Sequence, residues 1–208
     1  MARGLGARIV EVPTAGFAEP GRQQGIEAAT QPWVLVLDAD ERPGPRLLEL
    51  VRSHVERNDS SGLRVPRQNF MFGRWIRHSG CWPDYQLRLF RRDAAYWPPY
   101  VHTQVTVEGP IEDAPASDQY ALQHSSCPTV RDYIALINRY TDFEVDRYLA
   151  LGRRASLARL FLMPPGRFVQ TYFAQRGFLD GRYGLTLAFL TAIYAAMVEL
   201  KLREREES

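Results

Sequence analysis

Trp33-Val34-Leu35-Val36-Leu37-Asp38-Ala39-Asp40-Glu41-Arg42-Pro43 is an unbroken apolar run that ends abruptly in acidic residues. Five apolar residues in a row predict a strand buried on both faces, the kind that lies in a parallel sheet beneath helices. In such sheets ligands bind beyond the carboxyl ends of the strands. Asp38 and Asp40 sit two positions apart where the chain leaves the strand. Two readings compete for them. Either their oxygens converge on a hard divalent ion that bridges a substrate's phosphates, or they cap a helix beginning near Pro43 or Pro45.

Upstream of the run, Met1 to Gly6 reads as the tail of a helix and Ala7-Arg8-Ile9-Val10-Glu11-Val12 as a strand. Pro13 to Pro20 is a loop, and Gln23 to Thr30 a short helix with Ile26 and Ala29 inward. Together with the run to Asp38 this predicts a strand, helix, strand unit with a right-handed parallel crossover. Arg22, at the start of that helix, lies near the edge where Asp38 emerges; as an isolated charge it reads equally well as a solvated surface residue.

Downstream, Leu47, Leu48, Leu50, Val51 and Val55 mark a helical face that Asn58-Asp59-Ser60-Ser61-Gly62 ends. The texture then changes. Leu63-Arg64-Val65, Phe70-Met71-Phe72, Gln86-Leu87-Arg88-Leu89-Phe90 and Gln104-Val105-Thr106-Val107 are short strand candidates between Gly, Pro and Asp, which predicts a mixed or antiparallel extension. Aromatic residues crowd it, among them Phe70, Phe72, Trp75, Trp82, Tyr85, Tyr96, Trp97 and Tyr100. Such residues are core, or they form the stacking wall of a sugar site. From Thr129 the pattern is helical, interrupted at Gly152-Arg153-Arg154 and at Pro164-Pro165-Gly166, with a hinge from Gly177 to Gly184. Leu185 to Val198 is apolar all round but shorter than the roughly 20 residues a bilayer crossing takes. It is a buried helix or an interfacial one. Arg153, Arg154, Arg159, Arg167, Arg176 and Arg182 flank these elements, the arrangement of a surface drawn to anionic lipid, though also that of an ordinary solvated face. Residues 1–128 are therefore read as an α/β domain, which the resemblance described below makes a partial catalytic domain, and 129–208 as a helical extension.

The chain has 208 residues, 45% of them hydrophobic, and a net charge of +2, which excludes disorder and gives no general pull toward nucleic acid. Its basic charge is almost all arginine, Lys201 being the only lysine, and arginine favours bidentate phosphate contacts. Cys81 and Cys127 are too few for a disulfide framework and lack metal-ligand spacing, so with no secretory signal at Met1 they read as reduced thiols of a cytoplasmic protein. No Walker loop, Cys-X-X-Cys pair or nucleophile elbow is present.

Taken together the residues resemble the family 2 glycosyltransferases of the GT-A fold, in the branch similar to enzymes that add sugars to lipopolysaccharide core. The resemblance is carried by Gly16-Phe17, Gly21-Arg22-Gln23, Trp33 to Glu41, Phe72 to His78, Pro83 to Arg92, Val101-His102, His124, Asn138 to Thr141 and Gly177 to Gly181, nearly the whole chain. It implies a Rossmann-like GT-A sheet with a mixed-strand extension and a C-terminal helical region that associates with membrane. By the same resemblance Asp38 lies near the nucleotide ribose, and Asp40 with His124 holds a divalent ion, magnesium or manganese, on the diphosphate. Arg22 approaches the nucleotide. Gln86, Arg88, His102 and Trp82 fall on the acceptor side; strand alternation puts Gln86 and Arg88 on one face, so that either both serve the cleft or both are solvated. The implied donor is a nucleotide-sugar, the acceptor a glycolipid or other saccharide, the place the inner face of the cell membrane.

The chain departs from the family pattern twice. Relatives begin with a strand, a helix and a second strand ending in an acidic nucleotide-binding loop, and this sequence starts after them. Relatives also place Glu after the His of the Val-His pair as catalytic base, whereas Thr103 stands here, and a hydroxyl is no base near neutral pH. Asp84 is the substitute candidate, with a turn role after Pro83 as its alternative. The expected reaction is an inverting glycosyl transfer. Its rivals are a non-catalytic or partner-dependent subunit, and a two-metal phosphohydrolase using the same carboxylates.

Overall fold

The computed structural model describes residues 4, 6–13, 19–98 and 103–207. Helix α1 (Glu19–Ala28) leads to strand β1 (Trp33–Leu35), a short strand β2 (Glu41–Pro43) and helix α2 (Leu47–Arg57). Strands β3 (Gly62–Met71), β4 (Arg74–Trp75), β5 (Asp84–Arg91), β6 (Ala95–Tyr96), β7 (Thr106–Val107), β8 (Ile111–Asp113) and β9 (Leu122–Cys127) follow. The chain then turns helical through α3 (Val130–Ala150), α4 (Leu157–Val169), a π segment (Gln170–Ala174), a 3-10 turn (Gly177–Asp180) and α5 (Arg182–Glu207). Seven strands form one sheet in the order β1-β5-β3-β9-β2, with β4 and β8 also paired to β3; β6 and β7 form a separate ribbon. The sheet is mixed, since β1 runs antiparallel to β5 and β8 parallel to β3. The fold is thus α/β with a mixed sheet and a helical C-terminal region, as the sequence implies.

The chain divides into two compact units, one of residues 1–39, 43–66 and 85–122 and the other of 40–42, 67–84 and 123–208. The helical segment from residue 129 belongs to the second, together with the strands and turns of 67–84.

In the first unit β1 differs from expectation. It is three residues long, lies at the sheet edge and pairs antiparallel in the register Trp33↔Arg91, Val34↔Phe90, Leu35↔Leu89. Its two-faced apolar pattern comes from a helix on either side. Trp33 and Leu35 pack with Leu47, Val51 and Val55 of α2 against Leu63, Val65 and Leu89, whereas Val34 and Val36 pack with Ile26 of α1 against Phe90 and Trp97. A strand need not be parallel to be covered twice. The strand expected over Ala7–Val12 is absent, and Ile9 and Val10 are exposed. Residues 7–12 have no ladder partner among the described residues, so the parallel crossover expected there does not form.

In the second unit, Met71 and Arg74 close a two-residue hairpin whose central residues, Phe72 and Gly73, both have positive φ (55° and 76°). That is the turn whose twist matches paired strands, and it fixes where Arg74 and Trp75 point. Helix α3 opens with a capping box between Thr129 and Asp132. The expected break at Pro164-Pro165-Gly166 is not a break: α4 runs through both prolines because extensive packing against α5 outweighs the two lost backbone bonds. Helix α5 also exceeds the expected length. It has 26 residues and an 18-residue window of mean hydropathy 1.6, one third of it buried inside the protein, so length alone does not exclude a crossing.

The Gly177-to-Gly184 segment is close-packed rather than hinge-like. A Cβ on Gly184 would overlap the Gly177 carbonyl oxygen, and one on Gly177 would meet Ser79 Oγ at 2.6 Å and the Thr171 carbonyl at 2.7 Å. Gly184→Ala forces backbone apart and is expected to cost about 3 kcal/mol. A thermal melt should register it as a fall in Tm of about 8 °C; an unchanged Tm would mean the 3-10 turn moves aside freely.

Candidate active site

Asp38 leaves β1 with each carboxylate oxygen held by an arginine. Arg22 Nη2 donates to Oδ1 at 2.7 Å and Arg88 Nη2 to Oδ2 at 2.8 Å. Arg22 comes from α1, its guanidinium lying over the Trp97 ring at 4.6 Å, and Trp97 N donates to the neighbouring Gln23 Oε1 at 2.8 Å. Arg88 comes from β5 and its side chain is only 4% exposed. Burial raises the proton affinity of Asp38, but the charges of Arg88 and Arg22, with their hydrogen bonds, outweigh it and hold the carboxyl below the usual carboxylate range. Asp38 and Arg22 are brought together as the sequence suggests, and Arg88, expected on the acceptor side, joins them at Asp38.

The carboxylates do not cap a helix. Glu41 enters β2, Ser125 N donates to the Asp40 carbonyl at 3.2 Å, and α2 starts only at Leu47 behind Arg46, whose side chain makes no capping bond. The capping alternative therefore falls.

In the second unit, Asp40 heads a chain of polar side chains. His124 Nε2 lies 3.2 Å from Asp40 Oδ2, and His124 Nδ1 lies 2.8 Å from Asn69 Oδ1. Asn69 Nδ2 donates to Asp84 Oδ2 at 2.9 Å and to the Cys81 carbonyl at 3.3 Å. Arg67 Nη2 donates to the same Asp84 oxygen at 2.7 Å, and its Nη1 lies 3.9 Å from Glu41, whose side chain is fully buried. These contacts fix protons. Because Asn69 gives its amide hydrogens to two acceptors, its oxygen faces His124, so Nδ1 must carry the donated proton. In the neutral ring Nε2 then presents its lone pair to Asp40, and in the protonated ring it donates to it.

In the neutral form the two acceptors face each other, an arrangement that suits a cation between them. Ligands about 2.1 Å from a magnesium-sized ion and about 90° apart would lie about 3 Å from each other, close to the spacing seen. Among the described residues no group of three or more His, Cys, Asp and Glu side chains could hold a metal. Asp40 and His124 could supply two ligands and no more, which fits an ion completed by substrate oxygens and water. A two-metal centre takes more donors than these two, and the described residues hold no further group for the phosphohydrolase rival.

The remaining candidates fall in separate places. Trp82 is half-buried, edge-on to Trp75 with ring centroids 5.2 Å apart. Gln86 is half-buried on β5. His102 lies outside the described residues, as do Gly16, Phe17 and Val101. Thr103 acts as a clamp: its hydroxyl donates to the Pro98 carbonyl at 2.8 Å, and its own carbonyl accepts from Trp97 Nε1 at 3.2 Å. Sequence reasoning missed Arg67 and Asn69. Their signal was there, two polar residues in step with Leu63 and Val65 on alternate positions of one strand.

The profile of Glycosyl transferase family 2 matches residues 3–107, half of the chain. The chain belongs to that family. This glycosyltransferase is similar to a curated relative, the lipopolysaccharide core biosynthesis glycosyltransferase LpsC of Rhizobium meliloti (strain 1021), with 27% identity over 201 residues covering 95% of this chain and 73% of the relative. No solved structure matches it. In the transferase, the matched region contains Arg22, Asp38, Asp40, Asn69, Asp84 and Arg88, whereas His124 lies beyond it, on β9.

Proposed function

We propose that this transferase moves a sugar from a nucleotide-sugar donor to a lipid-linked or lipopolysaccharide-core saccharide, with a divalent ion held by Asp40 and His124. The observation that carries the reading is the oriented pair of Asp40 and His124, tied through Asn69 to Asp84. A bound magnesium or manganese ion would offset charge developing on the leaving nucleoside diphosphate. Asp38 anchors Arg22 and Arg88 beside the nucleotide, where guanidinium edges suit phosphate or base oxygens. The acceptor hydroxyl attacks the anomeric carbon as the bond to the diphosphate breaks, with inversion. Its proton passes to a carboxylate, for which Asp84 is proposed, oriented by Arg67 and Asn69. The test is nucleotide-sugar turnover by the purified chain with manganese or magnesium, wild type against Asp40→Ala. Equal rates would overturn the metal role; no turnover by either, with nucleoside diphosphate still bound, would favour the non-catalytic subunit, toward which the clamped Thr103 points.

The acceptor reading is supported by the similarity to LpsC and by the apolar surface of the helical region. Phe161 and Leu162 of α4 are 72% and 71% exposed, and Phe173, Phe178, Leu179 and Phe189 are exposed along the segments that follow. Phe168 links several of these rings, 4.9 Å from Phe189 and 6.5 Å from Phe173 between centroids. Arg167, Arg176 and Arg182 stand exposed among them. Apolar side chains ringed by arginine fit the interface of an anionic bilayer, on the inner face of the cell membrane. Glu199 keeps α5 bound to protein: nearly buried, it accepts from Arg153 and Arg159 at 2.9 and 2.8 Å. This favours a helix lying at the interface over one crossing it. Phe161→Glu with Leu162→Glu is expected to reduce binding to phosphatidylglycerol vesicles about tenfold or more in a sedimentation assay, without changing the melt.

A further inference from the structure

A cleft of about 530 Å³ opens in the second unit between the β3–β4 hairpin and the start of α5, lined by Arg74, Trp75, Arg77, Leu179, Asp180 and Tyr183. Its arginines are held by rings. The Arg77 guanidinium lies over Trp75 at 4.0 Å from the ring centroid, and that of Arg74 over Tyr183 at 5.6 Å. Neither forms an ion pair with any described residue, although Arg64, Arg67, Arg153 and Arg159 all do. A guanidinium resting on a ring loses rotamer freedom but keeps its N–H edge open, so the pair is prearranged for an anion. Asp180, the acid in the lining, forms no ion pair with either. Its oxygens accept from the backbone N–H groups of Arg77 and His78 at 3.2 and 2.8 Å, and Oδ1 lies 3.1 Å from His78 Nδ1. Trp75, whose ring carries Arg77, has its Nε1 buried in the wall with no hydrogen-bond partner among the described residues, so the indole N–H signal reports on its surroundings.

We propose that this cleft binds an anionic saccharide, a sugar unit bearing phosphate or carboxylate, with Arg74 and Arg77 taking the anionic group by their N–H edges. Its volume suits one or two sugar rings. The site deepens the transferase reading and rests on it only for naming that sugar as part of the acceptor. Trp75 also meets Trp82 edge-on, which joins the cleft wall to a residue that the family resemblance puts on the acceptor side.

The test is an NMR titration of the full chain, read at the Trp75 indole N–H, with glucose 6-phosphate, glucuronate, glucose and inorganic phosphate as probes. Glucose 6-phosphate and glucuronate are expected to shift the signal, glucose is not, and Arg74→Gln with Arg77→Gln is expected to weaken both responses about tenfold or more. Equal responses in the double variant, or glucose acting as well as glucose 6-phosphate, would overturn the site. A response to inorganic phosphate as strong as to glucose 6-phosphate would overturn the saccharide assignment. A parallel arm with phosphatidylglycerol vesicles identifies the source of the anion: a shift from vesicles and none from the sugars makes the ligand a lipid headgroup and overturns the proposal. Titration of the wild type with nucleoside diphosphates and manganese checks the transferase reading separately, since its failure leaves the anion site standing.

Discussion

Asp40→Ala is expected to lower nucleotide-sugar turnover about a thousandfold, with the melting curve almost unmoved. The side chain is 46% exposed and its contact with His124 at 3.2 Å is partly solvated, so its loss costs the fold little. On the proposed reading the variant loses one of two protein ligands in a site where substrate would supply the others. Nucleoside diphosphate binding should therefore lose its dependence on manganese. Asp38→Ala should behave in the opposite sense. It takes from Arg88, whose side chain is 4% exposed, and from Arg22 the carboxylate they share, and that loss is expected to cost about 3 kcal/mol of stability. A kinetic assay and a thermal melt on the two variants separate the roles. If Asp40→Ala lowers Tm as much as Asp38→Ala does, or turns over at the wild-type rate, the metal assignment fails.

The contrast shows what the sequence could and could not reveal about this motif. Two acids after an apolar run locate a strand end, and β1 does end at Leu35, three residues before Asp38. Their separate fates depend on partners from distant positions. Arg88 is 50 residues from Asp38, and His124 is 84 from Asp40, with nothing in local spacing to link them. Strand direction was illegible for a related reason: apolar residues on both faces of Trp33–Val36 report two covering helices and carry no information on whether the neighbouring strand is parallel. Residues 7–12 illustrate the reverse. Their alternation is that of a strand, but no described strand pairs with them, and local pattern cannot supply a neighbour. At the other end, Pro164 and Pro165 break a helix by any local rule, yet α4 continues because α5 packs along it. The site was half legible. The acids and His124 are residue types that announce chemistry, whereas Asn69 and Arg67 were hidden in a strand read for its apolar positions.

Asn69 therefore carries the sharper expectation. Its oxygen accepts the Nδ1 proton of His124, and its amide nitrogen is committed to Asp84 and the Cys81 carbonyl, so it cannot rotate to offer a hydrogen instead. On the proposed reading it acts as a positioning residue, holding the His124 proton on Nδ1. Asn69→Leu removes the acceptor at similar volume and lets the imidazole exchange tautomers. The half-saturating manganese concentration for turnover is expected to rise about 10–100-fold, the range typical of an outer partner of a ligating histidine. The maximal rate at saturating metal should fall much less. Asn69→Asp keeps an acceptor for Nδ1–H while setting a second carboxylate beside Asp84, so it should lose stability but hold its metal requirement within a few-fold of wild type. A purely structural Asn69 would reverse that order, both variants losing Tm and neither changing the manganese dependence. The nitrogen shifts of His124 report the tautomer directly, and a wild-type protein protonated at Nε2 rather than Nδ1 would remove the basis for the expectation.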